Sequence, residues 1–167
     1  DARNVIAGNQ HGIYLFTSGV TANRIEGNFI GTDATGTLPR GNTFDGVLIH
    51  SGANNLVGGA STAARNIIGA NGGAGIYLLG GNSTRIQNNF IGTDVTGLNS
   101  LGNGSQGIGI QSASITACLI GGAGTGNDYA SVGDCKLTPQ QLQDAWRTQM
   151  DRARQEPTRF AIIDATA

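Results

Sequence analysis

Phe29-Ile30-Gly31-Thr32-Asp33, continuing through Thr35-Gly36, returns as Phe90-Ile91-Gly92-Thr93-Asp94 with Thr96-Gly97. Outward from this pair the matches continue in both directions. Ala2-Arg3-Asn4 recurs as Ala64-Arg65-Asn66, Gly12-Ile13-Tyr14-Leu15 as Gly75-Ile76-Tyr77-Leu78, and Leu56-Val57-Gly58-Gly59 as Leu119-Ile120-Gly121-Gly122. The offsets stay between 61 and 63 residues, which marks an internal duplication. The unit divides again. Gly-apolar-x-apolar segments begin at Gly12, Gly46, Gly75 and Gly107, spaced 34, 29 and 32 residues apart. Each interval holds two further short apolar segments: Asn23-Arg24-Ile25 and Phe29-Ile30, then Asn55-Leu56-Val57 and Asn66-Ile67-Ile68, then Arg85-Ile86 and Phe90-Ile91.

Three very short strands per interval, joined by Gly, Asn, Thr and Ser corners, cannot bury a face alone, but stacked copies can. The pattern predicts an all-β chain: a parallel β-helix of about four coils over residues 1–122, each strand pairing with its equivalent one coil away. Inward aliphatics should stack in columns. One column is expected from Ile13, Val47, Ile76 and Ile108, a second from Leu15, Ile49, Leu78 and Ile110, and a third from Ile25, Leu56, Ile86 and Leu119. Asparagine tolerates the left-handed corner conformation and can form hydrogen-bonded ladders between coils. A helical reading fails here, because residues 1–122 carry no sustained i, i+3, i+4 apolar pattern.

Composition narrows the class further. The 167 residues include 28 glycines but only three prolines, with no Gly-X-Y period, so collagen is excluded. Charged residues are 13% and the formal net charge is −1, which gives no electrostatic case for nucleic acid. No apolar run approaches the ~20 residues of a membrane-spanning helix.

The Arg-Asn-Val-Ile-x-Gly-Asn, Gly-Ile-x-Leu and Asn-Phe-Ile-Gly-Thr-Asp-x-Thr-Gly strings resemble those of right-handed β-helix repeat proteins of the pectate-lyase-like superfamily. The resemblance covers roughly residues 2–122. It implies a secreted or cell-surface protein of bacterial type, within a group that includes polysaccharide lyases, hydrolases, epimerases, adhesins and passive stalks. It is specific for architecture and not for activity.

The chain beyond Gly122 has another character: eleven charged side chains in residues 123–167, against ten in residues 1–122. Thr138-Pro139-Gln140-Gln141 combines an N-cap, proline at the first helical position and a capping-box glutamine. The pattern predicts a helix over 139–155 with Leu142, Ala145, Trp146, Met150 and Ala153 on one face, then a short strand over 159–164. Together they are expected to cap the open end of the solenoid, with a partner-binding helix anchored on Trp146 as the alternative. The first coil is incomplete at Asp1, so the chain is expected to be a piece of a longer protein or to stack on a second copy through that edge. Cys118 and Cys135, 17 residues apart, are either a disulfide tying cap to coil or separate thiols.

Candidate chemistry is sparse. The best catalytic constellation is Arg40, Asp45 and His50, offering a cation, an acid and an imidazole beside two long loops, residues 31–45 and 92–106. Those loops flank a shorter coil and are expected to border a cleft. Asp33 and Asp94 occupy equivalent positions; each either meets substrate or closes an Asx-type turn, and a residue repeated in register favours the turn. Alternation in Gly-Ile-Tyr-Leu turns Tyr14 and Tyr77 outward on one sheet, a platform suited to stacking sugar rings. Arg24 and Arg85 form a similar outward pair that could meet uronate carboxylates. No cofactor is expected and no metal site is assigned. Residues 123–130 resemble a single copy of a Ca²⁺-binding nonapeptide whose sites require consecutive copies. Asn82-Ser83-Thr84 and Asn103-Gly104-Ser105 fit the glycosylation sequon.

Two functions emerge as expectations: an extracellular adhesive or structural scaffold with a carbohydrate-binding face, or an enzyme acting on acidic polysaccharide. A polysaccharide or other glycan is the expected partner of either. An ice-binding solenoid is disfavoured, since no strand carries a Thr-x-Thr ladder.

Overall fold

A computed structural model of the chain describes residues 3–111, 115 and 118–120. The expected cap with its helix over 139–155 and strand over 159–164, Cys135 and the nonapeptide-like segment lie outside the described residues.

Twelve strands of two or three residues occupy the described region: β1 (Val5–Ile6), β2 (Ile13–Leu15), β3 (Arg24–Ile25), β4 (Phe29–Ile30), β5 (Val47–Ile49), β6 (Leu56–Gly58), β7 (Ile67–Ile68), β8 (Ile76–Leu78), β9 (Arg85–Gln87), β10 (Phe90–Ile91), β11 (Ile108–Ile110) and β12 (Leu119–Ile120). They form three parallel four-stranded sheets, ordered β1-β4-β7-β10, β2-β5-β8-β11 and β3-β6-β9-β12. Every third strand thus returns to the same sheet, as a parallel β-helix requires. The chain completes three turns from β1 to β10 and runs on through β11 and β12.

The register confirms two expected columns. Ile13, Val47, Ile76 and Ile108 pair in sequence, as do Leu15, Ile49, Leu78 and Ile110. The third column differs by one residue. Ile25 pairs with Val57, Val57 with Ile86 and Ile86 with Ile120, while Leu56 and Leu119 stand in the outward column with Arg24 and Arg85. The physical reason lies in β6 and β12, where two apolar residues are adjacent and either parity looks hydrophobic. A lone inward residue flanked by arginine fixes the phase in β3 and β9. Ile25, Val57, Ile86 and Ile120 are buried in the core with Ile30, Ile49, Ile68, Ile76 and Leu78.

The corners are built from asparagine and a few left-handed residues. Asn28, Asn66 and Asn89 form a ladder with Asn4: the backbone N–H and Nδ2 of Asn28 both donate to Asn66 Oδ1 (2.9 and 3.0 Å), and those of Asn66 donate to Asn89 Oδ1. Asn9, Asn42, Asn71 and Asn103 repeat the arrangement at a second corner, and Asn23 with Asn55 begin a third. Buried amides are thereby satisfied side chain to side chain across successive turns. Entering the third sheet, each of three rungs bends through one left-handed residue: Ala22, Asn54 and Ser83, with φ of 54–57°. Glycine is required where backbones approach. Gly58 has φ of 82°, and a Cβ there would sit 1.9 Å from the Gln87 carbonyl oxygen.

The two long loops are hairpins rather than open arms. Asp33 N–H donates to Leu38 O and Arg40 N–H to Gly31 O; Asp94 and Leu101 make the equivalent bonds to Asn99 and Gly92. Val95 N–H then donates to Gly36 O at 3.0 Å, joining one hairpin to the other across the intervening coil. The expected cleft between these loops is therefore closed. Each hairpin is also pinned from below. The Phe29 ring packs against Gly36 with Arg3 at 5.1 Å from its centroid, and the Phe90 ring packs against Gly97 with Arg65 at 4.0 Å.

Candidate functional site

Asp33 and Asp94 close the hairpins. Asp33 Oδ1 accepts the N–H groups of Thr37 and Leu38 at 3.1 Å each, and the Thr35 hydroxyl donates to the same carboxylate at 2.8 Å. Asp94 accepts the Thr96 hydroxyl at 2.6 Å, the Thr96 N–H and the Asn99 amide. These bonds favour the ionised form. The Leu38 N–H, foremost, holds Asp33 below the ordinary aspartate value. The Thr96 hydroxyl and then the Asn99 side chain pull Asp94 down to about 2. Both carboxylates close turns in their hairpins.

Among the described residues, no hydrogen bond or ion pair joins any two of Arg40, Asp45 and His50. Arg40 is exposed and lines a shallow pocket of about 520 Å³ with Val5, Thr32, Asp33 and Pro39, at the hairpin. Asp45 Oδ1 accepts the Ala74 N–H at 2.7 Å, and its Oδ2 lies 3.4 Å from His11 Nδ1. The Asp45 N–H points at that same Nδ1, also at 3.4 Å, so Nδ1 accepts from this N–H when it carries no proton and faces the carboxylate as a donor when it does. His50 contacts the Ser51 hydroxyl at 3.2 Å. Arg24 and Arg85 are exposed on the third sheet, Arg24 paired with Glu26. Cys118 is half-buried against the core, and its suggested disulfide partner lies outside the described residues.

Tyr14 and Tyr77 do share the outward column of the second sheet, with Leu48 between them and Gly109 beyond. Their environments differ. Tyr77 leans over Gly109 and its hydroxyl donates to Gln111 Oε1 at 2.6 Å, leaving the ring half-buried. Tyr14 is 46% exposed and stands inside a run of rings that sequence reasoning missed. Phe44, His11, Tyr14, Phe16 and His50 follow one another with centroids 5.2–5.4 Å apart, and His50 also meets Tyr14 edge-on at 6.5 Å. Phe16 is 57% and Phe44 51% exposed. The signal was present: Phe16 is two residues beyond Tyr14 and shares its outward parity, while alignment on Gly12 and Gly46 brings His11 beside Asp45.

Register shows which parts of this cluster the repeat retains. His11 and Asp45 precede Gly12 and Gly46, and the next two rungs carry Ala74 and Gln106 there. Phe16 and His50 follow β2 and β5, where Leu79 and Gln111 follow β8 and β11. Hairpins, ladders and inward columns recur in both halves, so the solenoid needs them. Among the described residues the run of five rings occurs once, with Tyr14 alone of its members repeated, as Tyr77.

No protein-family model, curated protein or solved structure matches this chain. Among the described residues, no helix is long and apolar enough to cross a membrane, and no three His, Cys, Asp or Glu side chains are grouped to hold a metal ion.

Proposed function

We propose that the chain is an extracellular scaffold of the pectate-lyase-like β-helix type that binds a glycan on the second sheet, at the end formed by β2 and β5. The observation that carries this reading is the non-repeated, exposed run of five rings on an otherwise repeated framework. Three large aromatic side chains standing about half in water oppose the hydrophobic effect, and nothing in the fold requires them there. The rings are tilted by 37–73° to one another, so together they offer π-faces and edges to a ligand, and sugar rings offer flat C–H faces that can stack on an individual ring. The resemblance in the repeat strings supports a secreted or cell-surface setting of bacterial type.

Affinity electrophoresis of the full chain in gels cast with individual polysaccharides tests the reading. Retardation by at least one polymer, lost in Tyr14→Ala and Phe16→Ala but kept in Tyr77→Ala, is the expected result. Equal retardation of all variants would place binding elsewhere.

A further inference from the structure

We infer that the glycan held by this face is a neutral polysaccharide, gripped by ring stacking and by the Asp45 carboxylate, and not a uronate polymer. The inference rests on the glycan-binding reading above and adds the chemical class of its ligand.

Charge placement carries the argument. The described arginines all lie away from the ring cluster. Arg3 and Arg65 are stacked on Phe29 and Phe90 beside the hairpins, Arg24 and Arg85 stand on the third sheet, and Arg40 lies in the first hairpin. Among the described residues, the carboxylate beside the cluster is that of Asp45, 3.4 Å from His11 Nδ1. A uronate repeat laid along Phe44, Tyr14 and Phe16 would bring carboxylates against the negative faces of the rings and towards the Asp45 carboxyl group, with no guanidinium among the described residues in contact with those rings. Neutral pyranose rings present C–H groups of the opposite polarity to those faces.

Asp45, whose side chain is 14% exposed, also has acceptor capacity at that exposed edge. Its Oδ1 takes the Ala74 N–H, while Oδ2 has only the long 3.4 Å approach of His11 Nδ1. An ionised carboxylate has room for about four hydrogen-bond donors, and a sugar hydroxyl is a suitable one. Binding of this kind owes little to long-range electrostatics, so salt should barely affect it.

The test is affinity electrophoresis of the full chain against neutral glucans, xylan and mannan, and against polygalacturonate and alginate, at low and high salt. The expected result is retardation by a neutral polymer, changing less than twofold between about 0.05 and 0.5 M salt. Asp45→Asn should weaken that retardation several-fold with unchanged circular dichroism, because Asn keeps an acceptor for the Ala74 N–H and loses the charge. Retardation by the uronate polymers alone, abolished by salt, would overturn the neutral-ligand inference while leaving the glycan-binding reading standing. Retardation by none of the polymers would overturn both.

Discussion

The two halves of the second sheet have one backbone plan and two surfaces. β2 with β5 and β8 with β11 place the same kind of aliphatic inward at each rung, in an unbroken register. Outward, the first half carries His11, Tyr14, Phe16, Phe44, Asp45 and His50, and the second carries Tyr77 tied to Gln111. Duplication thus preserves what coil stacking demands and leaves the outward column free to specialise. Within one chain, a residue pair that differs between repeats separates function from packing in a way that a single turn never could.

The largest effects should come from what the halves share. Ile76→Ala removes a fully buried side chain from the middle of a column and should cost about 4 kcal/mol in denaturant unfolding. Asn71→Ala breaks a ladder in which Asn71 accepts from Asn42 and donates to Asn103, and should cost about 3 kcal/mol by the same measurement. Next come the residues that differ. Phe16→Ala should weaken glycan retention about tenfold, or about 1.4 kcal/mol, while shifting stability by no more than about 0.5 kcal/mol. Loss of binding on Tyr77→Ala to the same extent would break the contrast between the halves. The converse change, Leu79→Phe with Gln111→His, builds part of the ring run on the second half and releases Tyr77. It should lengthen retention on long polymers more than on short oligosaccharides.

The smallest effect is a pH dependence common to both hairpins. Asp94 is held at about 2 in the folded chain, below its ordinary value of 3.8, so its hydrogen bonds stabilise the fold above about pH 3.8. That contribution is lost as pH falls through about 2. Asp33 is shifted in the same direction. The difference in melting temperature between the parent and Asp94→Asn should accordingly narrow from pH 6 to pH 2.5. A constant difference would remove charge from the account.

Much of this was legible in the chain before any coordinates. Glycine-led segments at a steady interval gave the turns, and the shared Gly-apolar-x-apolar frame gave two columns. The third slipped at Leu56-Val57 and Leu119-Ile120, where adjacent apolar residues erase the alternation that sets phase. The closed hairpins were hidden for a different reason. The Val95–Gly36 bond joins loops two turns apart, and no local pattern encodes how far a loop leans. At the candidate site the column reading found Tyr14 but stopped short of Phe16, and it grouped Arg40 with Asp45 by proximity in sequence. In a solenoid, neighbours along the chain diverge around a corner, whereas residues some thirty positions apart meet.

The asparagine ladders have a direction. Each member offers its side-chain oxygen to one neighbour and its amide to the other, and every rung repeats that polarity. A pair of turns cut from the middle therefore leaves two ends that still mate, and a pair inserted there finds partners on both sides. Whole blocks of 61–63 residues can be gained or lost without rewriting their neighbours. Deleting one residue within a strand has the opposite consequence, since it turns the rest of that strand's side chains inside out. The length of such a protein is free to drift in large steps while its cross-section stays fixed.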